Sequence, residues 1–222
     1  TLVLRPDFTP SVSRACATYF NPEKEVVSLC YTGNTFINNS SFRGRLKETT
    51  QMGVERMGDD SPEADAEILA MTVECLLATG LTEFQVSVGQ VDYHKAIFAQ
   101  TGLSQEEEEE LRELISQKNY FGVEELVKNK NMDKSLARVL SQLPQMFGST
   151  EVLEKAKSLT DNPQALKAVA RLEEIYELLK VYGYEKYVTF DFAMLSKYHY
   201  YTGIIFQAYT YGTGEPIAKG GR

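Results

Sequence analysis

The chain has 222 residues, 43% of them hydrophobic, which suits one large globular domain with room for an inserted subdomain. Its formal net charge of -8 excludes a general attraction to phosphate backbones; Lys and Arg are scattered, the nearest grouping being Arg43, Arg45 and Lys47, so nucleic acid is disfavoured as a partner. Three widely spaced cysteines (Cys16, Cys30, Cys75) and only two histidines (His94, His199) give neither a disulfide framework nor zinc-ligand spacing; no metal and no cofactor are expected.

The chain opens on a short apolar run, Leu2 to Leu4, ended by Pro6, and this reads as a strand. Thr9-Pro10 gives a cap and a proline at the first helical position, and Val12, Ala15, Cys16 and Tyr19 continue at helical spacing. Val26 to Tyr31 reads as a buried strand, Asn34 to Gly44 as a polar hairpin loop and Lys47 to Arg56 as the partner strand. Ser61-Pro62 starts a second helix running to about Gly80, and the alternation at Phe84, Val86, Val88 and Val91 predicts another strand.

From residue 103 to about 182 the character changes to helices. Ser104 and Glu107 form a capping box ahead of an acidic first turn, which suits the positive end of a helix dipole. Helical patterns follow at 123–128, 135–140, 151–159 and 163–182, the last opened by Asn162-Pro163. Strand character returns at Tyr187 to Phe192 and Ile204 to Tyr211, around the tight segment Tyr200-Tyr201-Thr202-Gly203. This order predicts an α+β fold, an antiparallel sheet flanked by helices with a helical insertion over about 103–182. No glycine-rich phosphate loop is present. No apolar run approaches the ~20 residues of a membrane helix. The chain starts within a strand pattern and stops at Gly220-Gly221-Arg222, so the expectation is one core over 1–222, incomplete at both ends.

Three segments concentrate polar and aromatic side chains: Arg5-Pro6-Asp7-Phe8-Thr9-Pro10, the stretch from Gly33 to Glu55, and Tyr198 to Gly203 with Gly220-Gly221-Arg222. Each has a plain alternative. Asp7 and Thr9 also fit helix capping, Gln51 and Glu55 a solvent-facing strand, and the tyrosines edge packing.

Taken in order, Arg-Pro-Asp-x-Thr, Tyr-x-Gly-x-x-Phe, Gly-Arg-x-x-Glu-x-x-Gln-x-Gly-x-Glu, Tyr-Tyr-Thr-Gly-x-x-Phe and Gly-Gly-Arg resemble the histidyl-tRNA synthetases of the class II synthetase fold, over nearly the whole chain. The resemblance implies a histidine pocket. Asp7, Thr9 and Gln51 would hold the ammonium; Glu55 and Tyr200 or Tyr201 would read the imidazole. A carboxylate plus a phenol can satisfy both ring nitrogens, and a ligand lacking them would leave those groups unpaired. The same resemblance shows losses. Ile37 stands where the synthetases carry the arginine that grips the α-phosphate of ATP, Asn39 replaces a nearby glutamate, and Ser196 replaces a second arginine. Removing one preorganised donor costs ~10²–10³ in rate, so no aminoacylation and no catalytic residue are expected.

A retained pocket without activation chemistry is similar to the regulatory subunits of ATP phosphoribosyltransferase. That resemblance implies a cytoplasmic homodimer assembling with the short catalytic subunit into a hetero-octamer, with histidine as feedback effector of the first step of histidine biosynthesis. The alternatives are a divergent, active histidyl-tRNA synthetase and a synthetase-like domain that senses uncharged tRNA.

Overall fold

The computed structural model describes residues 2–38, 46–195 and 200–222. It divides into two compact units, Thr1–Ala64 and Asp65–Arg222.

In the first unit, α1 (Thr9–Tyr19) is followed by the strands β1 (Val27–Phe36) and β2 (Glu48–Met57), an antiparallel hairpin in register from Val27 opposite Met57 to Phe36 opposite Glu48. Strand side chains alternate between faces, so Tyr31, Gly33 and Thr35 share one face with Gly53, Gln51 and Thr49. Phe8, buried, stacks on Tyr31 with ring centroids 4.6 Å apart.

Two expectations change here. The Leu2–Leu4 run forms no strand: its side chains are 101%, 83% and 69% exposed, and the backbone bond nearby is a single one, Phe36 N–H to the Arg5 carbonyl. An apolar run without a ladder partner does not become a strand. Conversely, β1 continues through the polar Asn34 and Thr35 to Phe36 instead of opening into a loop. Cross-strand polar pairs do what apolar alternation does elsewhere: Asn34 donates to Glu48 at 2.6 Å, Thr50 donates to Asn34 at 2.8 Å, and the Thr35 and Thr49 hydroxyls lie 3.2 Å apart. Residues 39–45, among them Asn39, Arg43 and Arg45, lie outside the described residues.

The second unit contains α2 (Pro62–Ala78, continuing from the first), β3 (Phe84–Gln90), α3 (Val91–Phe98), α4 (Gln105–Ser116), α5 (Tyr120–Asn129), α6 (Lys134–Gln142), β4 (Phe147–Gly148), α7 (Thr150–Ser158), α8 (Pro163–Tyr182), β5 (Val188–Asp191), β6 (Ile204–Thr210) and β7 (Ala218–Gly221). The strands form one sheet in the order β4-β5-β3-β6-β7. Leu69, Val88, Ile97, Leu172, Phe190 and Phe206 belong to its buried cluster, so helices before and within the insertion share one core with the sheet.

The sheet is mixed, not purely antiparallel. Val86, Ser87 and Val88 of β3 pair in parallel with Val188, Thr189 and Phe190 of β5, and the other ladders are antiparallel. The physical reason is the long helical passage between β3 and β5, which returns the chain to the sheet in the same direction; parallel neighbours need such a crossover. The insertion is likewise not helical throughout, since β4 interrupts it and pairs with β5. Val91, expected in a strand, starts α3, where the Gln90 side chain accepts from the Asp92 amide. The caps at Ser104 and Asn162 form as the sequence implies: Ser104 and Glu107 make both halves of the box, and Asn162 accepts from the Gln164 and Ala165 amides.

Candidate functional site

The first unit gathers four of the six residues singled out. Thr9 sits in the first turn of α1; its hydroxyl donates to Glu55 Oε1 at 2.8 Å. Thr9 is therefore not the cap. Phe8 holds that position with no side-chain cap, and Asp7 Oδ1 takes the Phe8 and Thr9 amides at 2.6 and 3.2 Å. Pro10 still falls in the first turn, where its missing N–H costs nothing.

Gln51 and Glu55 lie on alternate positions of β2, both half-buried, while Met52 between them is 71% exposed. Their face is thus the covered one and not a solvent face. Gln51 stands opposite Gly33 and Glu55 opposite Leu29.

Tyr31, which the sequence analysis quoted only as part of a motif, belongs with this group. It faces Gly53 across the hairpin, and a Cβ on Gly53 would run into the Tyr31 ring. A Cβ on Gly33 would come 2.8 Å from the Phe8 ring. The two glycines are the space that lets aromatic rings lie flat on the hairpin. A tyrosine in cross-strand register with a glycine was the available signal.

Two carboxylates and one guanidinium set the electrostatics of this face: Glu55 and Asp7 lie near Tyr31, while Arg5 lies over the Phe8 ring at 4.3 Å and beside Gly33. Burial pushes the Glu55 carboxyl up and the nearby Asp7 carboxylate adds to that, with the Thr9 hydrogen bond acting against them. Burial also raises the Tyr31 phenol, reinforced by Glu55 and Asp7. Tyr31 therefore stays protonated as a donor beside two carboxylate acceptors, a set that favours a cationic ligand carrying N–H groups.

In the second unit, Tyr200 and Tyr201 lie with ring centroids 4.6 Å apart; Tyr200 is 63% exposed and Tyr201 half-buried. Their segment is held from both sides. Lys95 on α3 donates to the Tyr201 carbonyl at 2.8 Å, and the Val91 amide donates to the Gly203 carbonyl at 3.0 Å. The Thr202 and Gly203 amides donate to the Arg222 carbonyl at 2.7 and 3.2 Å. Tyr201 covers Gly221, where a Cβ would come 2.7 Å from its ring.

The same helix α3 holds the chain before the segment, through His94. Its Nε2 lies 2.6 Å from the Phe192 carbonyl and its Nδ1 2.9 Å from the Gln90 carbonyl. Complete burial lowers its pKa to about 4 against the pull of those two carbonyls, and a neutral ring, with one N–H, can donate to only one of them. Ser196, Lys197, Tyr198 and His199 lie outside the described residues. Ile37, at the position of the missing arginine, is 50% exposed. No group of His, Cys, Asp or Glu among the described residues could hold a metal ion. No described helix is long and apolar enough to cross a membrane.

A helix-flanked sheet with a helical insertion, together with a hairpin that carries a carboxylate beside a phenol, has the features of a class II synthetase-like core. The sequence matches the histidyl-tRNA synthetase family over residues 1–222, and the chain belongs to that family. Among its relatives, the ATP phosphoribosyltransferase regulatory subunit of Acetivibrio thermocellus is 42% identical over 221 residues, covering 100% of this chain and 53% of that protein. The regulatory subunit of Clostridium acetobutylicum is 39% identical over 223 residues, with 100% and 55% covered. The chain thus spans about half the length of these relatives. Among solved structures, an ATP phosphoribosyltransferase regulatory subunit/histidyl-tRNA synthetase from Bacillus halodurans C superimposes with a TM-score of 0.86 at 31% identity, over 98% of this chain and 56% of that one. A chain of the ATP phosphoribosyl transferase (HisG:HisZ) complex from Thermotoga maritima shares the fold at 22% identity, with a TM-score of 0.75 over 99% and 75%.

Proposed function

We propose that this chain is the synthetase-like core of a non-catalytic regulatory subunit of ATP phosphoribosyltransferase, and that Asp7, Thr9, Gln51, Glu55, Tyr200 and Tyr201 bind histidine as its effector. The observation that supports this most is the pairing of two carboxylates, Glu55 and Asp7, beside Tyr31 and Thr9. A carboxylate pushed toward neutrality by burial and by a second carboxylate is restored by a cation, and histidine brings an ammonium and an imidazole. The hydrogen bond from Thr9 fixes the Glu55 oxygen that faces it, so the acceptor is oriented before a ligand arrives.

The names of the relatives support the regulatory assignment. Ile37 supports the lack of catalysis: an apolar side chain cannot meet charge developing on a phosphoryl group. By analogy with the Thermotoga maritima complex, the partner is the catalytic phosphoribosyltransferase subunit, joined to a homodimer of this chain in a cytoplasmic hetero-octamer. Histidine inhibits by binding one arrangement of that complex better than another.

Calorimetric titration of histidine into the full-length protein and its Glu55→Ala variant tests the pocket. The variant should bind at least about thirtyfold more weakly, since truncating one partner of a desolvated charge pair costs about 2–5 kcal/mol. Equal affinities would sink the assignment. Mixing the protein with a short-form catalytic subunit should raise phosphoribosyl transfer, whereas histidine-dependent ATP–pyrophosphate exchange by the protein alone would make it a working synthetase.

A further inference from the structure

Asp65, on α2, is 5% exposed and is gripped by two arginines from distant parts of the second unit. Arg171 on α8 meets its Oδ2 with Nε at 3.0 Å and Nη2 at 2.8 Å. Arg222, which ends the Gly-Gly-Arg run, brings Nε to 3.3 Å from Oδ1. That second contact is an ion pair without hydrogen-bond alignment. The Arg222 guanidinium lies flat against Gly203: a Cβ there would meet Nη2 at 2.5 Å and Cζ and Nε at 2.7 Å. Gly203 closes the tyrosine segment. The planar, permanently charged guanidinium can pair with a carboxylate at its edge and cover a backbone with its face, which a lysine cannot do.

We propose that Arg222 is a positioning residue: anchored by Asp65, which Arg171 fixes in turn, its guanidinium braces Gly203 and so sets Tyr200 and Tyr201 for the effector. This rests on the histidine pocket argued above and adds a residue that acts through the backbone of the segment and not on the ligand. Arg171 and Asp65 remain paired when Arg222 is changed, so the core keeps a compensated carboxylate. The main-chain bonds from Thr202 and Gly203 to the Arg222 carbonyl also survive.

The test uses the full-length protein, Arg222→Met, Gly203→Ala and the double variant, with histidine affinity, melting temperature and amide exchange over residues 200–203 as readouts. If the segment spends a tenth of its time in the competent arrangement once the brace is lost, affinity falls about tenfold. Gly203→Ala should reproduce that loss, because its methyl displaces the guanidinium. The double variant should lose no more than either single one, since both remove the same contact. Exchange at 200–203 should quicken in all three with an unchanged melting temperature. Wild-type affinity in Arg222→Met, a silent Gly203→Ala or additive losses would each overturn the inference. A wild-type protein that binds no histidine would overturn the pocket instead; exchange at 200–203 unaffected by Arg222→Met would then dismiss the brace as well.

Discussion

The two units differ in what their buried residues do. In Asp65–Arg222 the sheet and its helices share one apolar cluster, and the polar groups buried with it, such as His94, are braces. In Thr1–Ala64 the buried apolar residues are Phe8, Cys16, Val27 and Ala64, and Leu2, Val3, Val26 and Met52 are largely exposed. There the covered face of the hairpin carries Gln51, Glu55 and Tyr31, with Thr9 of α1 donating to Glu55 and Tyr31 stacked on Phe8. On the proposed function, recognition would sit where packing is thin, while the thick core carries structure. This follows from desolvation: a pocket that keeps two carboxylates near a phenol gives up stability that only a ligand restores.

The comparison is sharpest when each unit is damaged in turn. Phe190, fully buried in β5, touches the core from an inner strand of the sheet, and its ring meets Tyr176 edge-on. Phe190→Ala should cost about 3–5 kcal/mol, read as a fall in the denaturation midpoint of the second unit. A loss below about 1 kcal/mol would mean that this core is not the stabilising one. Gly53→Ala is the counterpart in the first unit. Its methyl collides with the Tyr31 ring and disturbs the Phe8–Tyr31 stack. The cost should be about 1–3 kcal/mol, the usual range for overpacking. Exchange should rise over residues 2–64 and histidine affinity should fall. Raised exchange throughout 65–222 would break the division.

What the sequence made legible follows the range of the interactions. The caps at Ser104 and Asn162 are local and are read from three or four residues. The hairpin was legible from its two strand patterns and the polar stretch between them, whereas the hydrogen bond from Thr9 to Glu55, 46 residues apart, was not read from the sequence; the family motifs gave only that both line one pocket. The parallel pairing of β3 with β5 was hidden, as nothing in either strand records direction, and β4 is too short to leave a pattern. Leu2–Leu4 misled because apolar alternation signals a strand only when a neighbour supplies the ladder. The Asp65–Arg171 pair spans 106 residues and carries no motif at all, although the arginine at its other end was in plain view at the Gly-Gly-Arg run.

The smallest effect expected is also the most discriminating between a packed and a recognising residue. Glu55 has its carboxyl raised in the folded chain, so the folded state binds more protons than the unfolded one between the ordinary carboxylate range and the raised value. Stability therefore falls as pH rises through that window and is level above it. Glu55→Gln removes the charge but keeps an oxygen for the Thr9 hydroxyl. At neutral pH the variant should match or exceed the wild type, by less than about 1 kcal/mol because the side chain is only half-buried and solvent screens it. Below the ordinary carboxylate range, where both side chains are neutral, the two curves should converge. Histidine affinity should drop at neutral pH all the same, since the cation has lost its counter-charge. Denaturation of both proteins from pH 3 to pH 8 measures this. A variant clearly less stable at neutral pH would make Glu55 a structural member of the hairpin and erase the contrast between the two units.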